Sequence, residues 1–288
     1  MNEITNKHKH LIESVRACCH HALSSHAFPS LYLWQNSMGL SVLCEDDFFA
    51  VKSTQKPGNF YFYPCGNDEK TEKFIRSQMT DKTFSMGYLR ECDKQWLEEH
   101  FPDMWDFRRV EDADEYICDI SEYIALSGSK FSEIRRKIKK IDSEHEISVK
   151  IITEQTLPDA MAVLEDWYRY EHSEGANHLS DDSVAETALS NMAFLDISGI
   201  VLYCDAIPAA VFAGFPLSSD TVDVLIGKTT ADAPKGIVYY GLHAYLKPCA
   251  DTYTYCNHEE DLGIPGIRQV KQSLCPIFKN EIWEAALK

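Results

Sequence analysis

The chain has 288 residues, of which 44% are hydrophobic, and it carries a formal net charge of −17. This length is enough for two domains with hydrophobic cores. The negative charge argues against a general nucleic-acid coat and against a protein held on anionic membranes by its overall charge, so any anionic partner must meet a local basic patch. The chain has ten cysteines but no CxxC pair, and it shows no secretory signal and no long apolar span. These features predict a reduced, soluble, cytoplasmic protein without a transmembrane segment.

Apolar periodicity and turn residues divide the first half of the chain into two helices, three strands and then alternating helices and strands. Leu40 to Cys44 and Phe48 to Val51 flank the acidic turn at residues 45–47, and this pattern predicts a hairpin. The other predicted elements are helices at Ile4 to Leu23, Ser30 to Gln35, Asp68 to Met79 and Lys94 to His100, and strands at Asn59 to Pro64, Phe84 to Leu89 and between Phe107 and Ile120.

The second half shows a similar order of elements, without a clear repeat of residues. Gly199 to Cys204 and Ala209 to Phe215 predict a hairpin across residues 205–208. The other predicted elements are helices at Leu157 to Tyr170, Asp182 to Leu195 and from Pro234 to about Leu246, and strands at Val149 to Ile152, Thr221 to Ile226 and Ile277 to Trp283.

A strand-to-helix junction is predicted within the stretch TYTYCNHEEDLGIPGIRQVKQSLCP, from Thr252 to Pro276. Residues 252–256 are β-formers of alternating polarity and predict a strand. Pro265 suits the first position of a helix. The spacing predicts a buried stripe on this helix, formed by Ile267, Val270 and Leu274.

Charged residues are concentrated at this junction. Glu259, Glu260 and Asp261 directly follow the predicted strand, and Arg268 and Lys271 share one face of the helix. The end of a strand is where an α/β sheet usually places its ligand crevice. An alternative stays open, because acids just before a helix stabilise its positive N-terminus by about 0.3–1 kcal/mol each without any chemistry.

A basic helix is predicted within the segment LSGSKFSEIRRKIKKI, which begins at Leu126. Its apolar residues follow helical spacing and predict a buried stripe, formed by Phe131, Ile134, Ile138 and Ile141. The remaining surface is cationic and carries Lys130, Arg135, Arg136, Lys137, Lys139 and Lys140. The phosphates of tRNA or a phospholipid headgroup fit such a patch. The alternative is a solvated helix whose bases pair with neighbouring acids such as Glu133, Asp142 and Glu144.

Lys235 and Gly236 follow a predicted strand and open a predicted helix. Backbone N–H groups at such a helix start can hold a pyrophosphate or a carboxylate, although a plain turn explains the pattern equally well. Tyr239 and Tyr240 lie one turn further on and either reach the crevice or pack inside the protein.

We expect no metal site, because no group of possible ligands follows a familiar spacing. Cys18, Cys19, His20 and His21 are consecutive, so on a helix their side chains point in different directions. His172, Glu174, His178, Asp181 and Asp182 lie in a predicted loop without a recognised ligand pattern.

Three segments together resemble one family: YCNHEEDLGIPGIRQVKQSLCP, LSGSKFSEIRRKIKKI and SLYLWQ from Ser30. It is the soluble family related to the C-terminal domain of phosphatidylglycerol lysyltransferases, and the resemblance runs in order over nearly the whole chain. The chain departs from the family pattern at His258, where an arginine is expected, and at Leu274, where a tyrosine is expected. Arg136 and Lys139 also stand where asparagines are usual.

The resemblance implies an α/β fold of two tandem GNAT-like (acyl-CoA N-acyltransferase) domains in a Fem-like arrangement. Each domain is expected to hold a mixed, mostly antiparallel sheet flanked by helices. We place the first domain at residues 1–125 and the second at residues 126–288, where it begins with the basic linker helix.

The same resemblance implies transfer of an aminoacyl group from aminoacyl-tRNA to an amine or hydroxyl acceptor, on a lipid or a small molecule. Aminoacyl-tRNA or acyl-CoA would then be a co-substrate, and no tightly bound cofactor is expected. Two alternatives are an acyl-CoA-dependent N-acetyltransferase and a non-catalytic anion-binding module on a GNAT scaffold.

Acyl transfer needs a group that accepts a proton, groups that orient both substrates and a group that stabilises an oxyanion. Asp261 or Glu260 is predicted to bind an amino group or act as the base, and Lys271 to hold phosphate or the oxyanion. The predicted substrate-binding residues are Asn257, Glu259, Arg268, Arg135, Arg136, Lys139, Lys140 and Tyr239, and the predicted donor-binding residues are Lys235 and Gly236.

Overall fold

The computed structural model describes residues 1–173 and 182–288, which form two compact units. The first unit comprises Met1–Tyr116, Glu259–Arg268 and Lys279–Lys288, and the second comprises Ile117–His258 and Gln269–Phe278. This division differs from a contiguous split at residue 125, because two late segments of the chain belong to the first unit.

The described residues form eleven α-helices and fourteen strands. The helices are α1 (Lys9–Cys18), α2 (Phe28–Met38), α3 (Asp68–Gln78), α4 (Glu91–His100), α5 (Ile120–Ala125), α6 (Ser132–Glu144), α7 (Leu157–Ser173), α8 (Asp182–Ser190), α9 (Met192–Leu195), α10 (Ile237–Cys249) and α11 (Pro265–Ser273). The strands are β1 (Leu40–Glu45), β2 (Phe48–Ser53), β3 (Asn59–Phe62), β4 (Cys65–Gly66), β5 (Phe84–Leu89), β6 (Trp105–Arg109), β7 (Glu115–Asp119), β8 (Ile147–Ile151), β9 (Ser198–Cys204), β10 (Ile207–Pro216), β11 (Thr221–Thr229), β12 (Tyr255–Asn257), β13 (Phe278–Asn280) and β14 (Trp283–Leu287).

The first sheet has the strand order β1-β2-β3-β5-β14-β6, with β4 paired to β2. Only β3 and β5 run parallel; the other paired strands are antiparallel. The C-terminal strand β14 lies between β5 and β6, where Ala285 is opposite Met86 on one side and Phe107 on the other. This pairing explains why the end of the chain belongs to the first unit.

The second sheet has the strand order β13-β7-β12-β11-β10-β9-β8. β11 and β12 are parallel, whereas β8 to β11 form antiparallel pairs and β12 pairs antiparallel with β7. In the second unit, α6 and α10 contribute to one hydrophobic core with this sheet, which includes Ile134, Ile141, Leu242 and Leu246. Their burial follows from apolar positions at helical spacing.

Most predicted elements are confirmed, including both hairpins and the buried stripe of the basic helix, in which Phe131, Ile134 and Ile141 are buried and Ile138 is partly buried. Four predictions of element bounds are wrong. The first helix ends at Cys18, where His20 adopts a positive φ of 48°. The helix predicted to run from residue 182 to 195 is broken at Asn191, whose φ of −122° is not helical.

The other two corrections concern the end of the chain. The strand predicted to start at Thr252 starts at Tyr255, because the Thr254 and Tyr255 N–H groups both bond to the Asp220 carbonyl oxygen. The last predicted strand is divided into β13 and β14, because the Ile282 N–H between them donates to the Asp114 carboxylate at 3.1 Å.

Among the described residues, no helix combines the length and the apolar character that a bilayer crossing requires. All ten cysteines are free thiols.

Candidate functional site

Asp261, a predicted catalytic residue, is fully buried in the first unit and accepts four hydrogen bonds. The Tyr116 hydroxyl donates to Oδ2 at 2.5 Å, and the Gly263 N–H donates to Oδ1 at 2.9 Å. Arg268 binds both carboxylate oxygens, through Nε and Nη2, at 2.8 Å each. These four bonds occupy the acceptor positions of a carboxylate.

The charge state of Asp261 follows from these contacts. Burial alone would raise its pKa, but the hydrogen bonds from Arg268, Tyr116 and Gly263 outweigh burial and hold the pKa well below its usual range. Arg268 also donates to the exposed carboxylate of Asp112 at 2.7 Å. The contacts of Asp261 therefore favour the interpretation of Asp261 and Arg268 as a structural ion pair.

The turn around Asp261 is held in an uncommon backbone conformation. Glu259, Leu262 and Gly263 have positive φ angles of 55°, 56° and 70°. The Leu262 N–H donates to the Asp112 carbonyl oxygen at 3.0 Å. A Cβ atom at Gly263 would lie 2.8 Å from the Asp112 carboxylate, and the positive φ angle also favours glycine there. Strain of this kind is frequent at functional sites.

Glu260 is half-buried in the first unit, among titratable groups that the sequence did not single out. Burial raises the pKa of Glu115, and the negative charge of Glu260 adds to this effect. Glu115 is held by Ser24, whose N–H and hydroxyl donate at 2.8 and 2.9 Å, and by Asn280 at 3.0 Å. The pKa of Tyr88 is also raised, first by burial and then by Glu260.

In the second unit, Asn257 lies at the end of β12 and is fully buried. It is opposite Asp223 of β11 in the parallel register, and Asp223 is also fully buried. One position earlier in the register, Cys256 is opposite Cys118 of β7. Nε2 of His258, the residue that departs from the family pattern, lies 3.3 Å from the Cys256 Sγ atom.

The two thiols differ in proton affinity. A hydrogen bond from Cys256 and the charge of His258 lower the pKa of Cys118 despite its burial. Burial raises the pKa of Cys256 well above the usual value for a thiol. Cys118 is thus the thiol of this pair that more readily becomes a thiolate.

Three groups of described residues bring possible metal-ligating atoms within 4.8 Å of one another. They are Cys118, Cys256 and His258; His21, His26 and Cys65; and His145, Cys204 and Asp205. Sequence spacing did not reveal them, because each group joins residues that are far apart in the chain. In the predicted loop cluster at residues 172–182, residues 174–181 lie outside the described parts of the chain.

The basic helix α6 combines paired and unpaired cations. Arg135 donates to the carbonyl oxygens of Leu126 and Gly128 and so anchors the preceding loop. Lys140 lies 3.8 Å from Glu144, as the interpretation of a solvated helix predicts. The exposed Arg136 and Lys139, in contrast, have no ion pair within 4.0 Å among the described residues.

The start of α10 lies against this helix. Gly236 caps α10 with a φ of 100°, and a Cβ atom there would lie 2.9 Å from the Cβ atom of Lys137. The Lys137 ammonium lies 4.6 Å from the ring centre of Tyr239, whose hydroxyl is 3.0 Å from the Ser273 Oγ atom. Tyr239 is buried, whereas Lys235 is exposed. The second unit thus places the start of α10, where Lys235 and Gly236 are predicted to bind the donor, against the basic helix α6.

Comparison with protein families assigns residues 16–283 to the family described as "Phosphatidylglycerol lysyltransferase, C-terminal". The chain belongs to this family. The predicted resemblance is therefore confirmed over nearly the whole sequence. No curated protein matches the sequence.

Several solved structures of other proteins have a fold similar to that of this member of the lysyltransferase C-terminal family. A conserved protein of unknown function from Bacteroides thetaiotaomicron VPI-5482 has a TM-score of 0.91 at 22% identity, covering 100% of this chain and 99% of that chain. The C-terminal domain of a putative lysylphosphatidylglycerol synthetase from Agrobacterium fabrum has a TM-score of 0.68 at 12% identity, with 98% and 92% coverage. FemX has a TM-score of 0.63 at 10% identity, with 99% and 96% coverage. The predicted α/β class with two GNAT-like sheets and the Fem-like fold are confirmed.

In this family member, the predicted site residues lie in both units. Glu259, Glu260, Asp261 and Arg268 belong to the first unit, and the other predicted site residues belong to the second. Lys271 lies in the last turn of α11 and is half-buried. The buried stripe predicted for this helix is wrong at Val270, which is 37% exposed. No side chain of α11 is fully buried.

Proposed function

We propose that the protein is an acyltransferase that moves an aminoacyl group from aminoacyl-tRNA to an amine or hydroxyl acceptor on a lipid or a small molecule. Membership of the phosphatidylglycerol lysyltransferase C-terminal family supports this proposal, because the family description names transfer of a lysyl group to a lipid. The putative lysylphosphatidylglycerol synthetase of the same fold supports a lipid acceptor.

The observation that carries the proposal is the cationic surface around α6 in the second unit. Arg136 and Lys139 are exposed and have no ion pair within 4.0 Å among the described residues, whereas Lys137 pairs with Glu133 at 3.1 Å and lies against Gly236 at the start of α10. A helix N-terminus and neighbouring cations attract phosphate groups. In a chain with a net charge of −17, such a surface favours a polyanionic donor over non-specific binding.

We assign the role of base to Glu260 rather than to Asp261. The carboxylate of Asp261 already accepts four hydrogen bonds, and its pKa is held low, so it is a poor proton acceptor. Glu260 is half-buried, and its charge raises the pKa of Glu115. Lys271 remains our candidate for the group that holds phosphate or the developing oxyanion.

The decisive experiment measures tRNA binding and acyl transfer with Arg136→Gln/Lys139→Gln. We expect wild type to bind aminoacyl-tRNA and to transfer the labelled aminoacyl group to an extracted lipid or amine pool. The double variant should bind tRNA more weakly. A plot of log K for tRNA binding against the logarithm of the salt concentration should also become less steep, by roughly 2 units of slope, since two phosphate contacts are lost. Lys82→Gln/Lys247→Gln removes two exposed charges elsewhere and should change neither quantity.

Two results would change the assignment. If wild type acetylates amines from acetyl-CoA and ignores tRNA, the N-acetyltransferase alternative is correct. If it binds neither tRNA nor CoA at low salt and transfers no acyl group, the proposed function is wrong.

A further inference from the structure

We propose that Cys118, Cys256 and His258 form a binding site for a thiophilic metal cation, for which Zn²⁺ is the probe. The site lies in the second unit, outside the surface assigned to the donor. It revises our expectation that the chain has no metal site, which rested on ligand spacing along the sequence.

The pairing of two strands creates the site. Cys118 and Cys256 are directly opposite each other in the antiparallel pair of β7 and β12, so their side chains project from the same face of the sheet. His258 is two residues beyond Cys256, and side chains two apart along an extended chain point to the same face. Cys118 is 138 residues from Cys256 and His258 is two residues from it, yet the fold brings the three side chains into one cluster.

The distances suit tetrahedral coordination. With Zn–S bonds of about 2.3 Å and Zn–N bonds of about 2.0–2.1 Å, two sulfur ligands lie about 3.8 Å apart and a sulfur and a nitrogen about 3.6 Å apart. All three ligand atoms lie within 4.8 Å of one another, and the distance from the Cys256 Sγ atom to the His258 Nε2 atom is 3.3 Å. The separations between the ligand atoms would therefore have to change by no more than about 1 Å to reach tetrahedral values.

A fourth coordination position has a nearby oxygen. The Cys118 thiol donates to the Leu274 carbonyl oxygen at 3.7 Å, which is close to the sulfur–oxygen separation in a tetrahedral site. The carbonyl oxygen or a water molecule can therefore occupy the fourth position.

The surroundings of the cluster suit a neutral metal centre. Cys118, Cys256 and His258 are 1%, 0% and 6% exposed, and both cysteines belong to the apolar core of the second unit. Zn²⁺ with two thiolates and one neutral imidazole has no net charge, which lowers the cost of burying it. Two thiol protons are released to solvent when the metal binds.

The other buried cluster of this kind is less suited to a cation. It joins His21, His26 and Cys65, and Arg16 and Arg90 add positive charge to its surroundings. Cys118 and Cys256 are also better placed to cross-link the fold, because a metal between them closes a loop of 138 residues. We therefore expect the metal to fix β7 against β12.

The test uses reduced full-length protein and three measurements: Zn²⁺ content by mass spectrometry, Zn²⁺ affinity against a chromogenic chelator, and the absorption spectrum with Co²⁺. We expect one Zn²⁺ per chain, a thiolate-to-cobalt charge-transfer band and a melting temperature that rises with added Zn²⁺. Cys118→Ser, Cys256→Ser and His258→Gln should each lower the Zn²⁺ affinity at least tenfold.

Cys275→Ser is the matched control, because it removes a half-buried thiol of the same unit that lies outside the cluster. It should bind Zn²⁺ as wild type does. If a substitution prevents folding, the site can be tested in wild type by removing Zn²⁺ with a chelator and then adding it back.

Three outcomes would overturn the proposal. They are no binding of Zn²⁺ or Co²⁺ by wild type with all thiols reduced, unchanged binding in Cys118→Ser and Cys256→Ser, and a disulfide between Cys118 and Cys256 that forms in place of metal binding. Metal binding is measured without acyl transfer, so this proposal and the proposed function can fail separately.

Discussion

Asp261→Asn is the most informative single substitution in the first unit. It keeps the size of a fully buried side chain and removes its charge. One carboxylate oxygen becomes an NH₂ group, and it then faces either Arg268 Nε and the Tyr116 hydroxyl or Arg268 Nη2 and the Gly263 N–H. In both orientations the new donor opposes another donor, so at least one hydrogen bond to a charged group is lost.

The expected cost follows from the exposure of the partner. A lost hydrogen bond to a charged group costs about 1.5–3 kcal/mol. Stranding one member of a fully buried ion pair costs roughly 3–5 kcal/mol. Arg268 is 37% exposed and keeps its bond to Asp112, so water and Asp112 limit the loss. We expect Asp261→Asn to lower the free energy of unfolding at pH 7 by about 2 kcal/mol.

The pH dependence gives a second readout. The pKa of Asp261 is depressed in the folded state, so its stabilising contribution is present above the unfolded pKa of about 3.9. That contribution is lost as the pH falls below this value towards the folded pKa. The difference in stability between wild type and Asp261→Asn should therefore shrink on acidification below about pH 4.

Urea denaturation from pH 3 to pH 7, followed by circular dichroism, measures both quantities. Arg268→Met and the double variant complete a mutant cycle, and in a structural pair the double variant recovers much of the loss. Asp112→Asn is the matched control, because its carboxylate is 64% exposed and should contribute little. Unchanged or increased stability of Asp261→Asn, together with loss of acyl transfer, would refute the structural interpretation and return Asp261 to the catalytic residues.

Four further substitutions test the packing and the buried titratable groups. Gly236→Ala should cost about 1–3 kcal/mol by urea denaturation, because of its positive φ and the contact with Lys137, whereas Gly266→Ala, where a Cβ atom meets nothing within 4 Å, should cost nothing. Burial lowers the pKa of His26 to about 3, so the contribution of His26 to stability should be lost as the pH falls below about 6.5. Compared with wild type, His26→Gln should remove up to about 1.4 kcal/mol per pH unit of this loss, and an unchanged slope would contradict the prediction. Burial raises the pKa of Glu115, so the contribution of Glu115 should be lost as the pH rises past about 4.3, and the free energy of unfolding of Glu115→Gln should increase relative to that of wild type over this range.

The sequence predicted those elements whose determinants are local. Hairpins and helices follow from alternation, turn residues and helical spacing over short windows, and α6 has its apolar stripe at the predicted positions. The exposed Val270 shows the limit of this method, because helical spacing identifies an apolar face but not whether another element covers it.

The contacts that decide the role of a site residue are not local. Tyr116 and Asp261 are 145 residues apart, and the hydrogen bond between them supports the interpretation of Asp261 as a structural residue. Cys118 and Cys256 join only through strand register, which no sequence window contains. The charge pattern located the acidic turn, but the partners of each charge became known only from the fold.

The position of β14 between β5 and β6 has a consequence for synthesis on the ribosome. Trp105 of β6 cannot pair with Leu287, its partner in the sheet, until β14 has been synthesised. Until then β5 and β6 each present an unpaired edge, which is the kind of surface that invites aggregation. The second sheet, whose last strand along the chain is β13 and ends at Asn280, can be completed before the first sheet. A nascent fragment that stops at residue 125 lacks the strand that joins β5 to β6, so we expect it to depend on chaperones and to be a substrate for proteases.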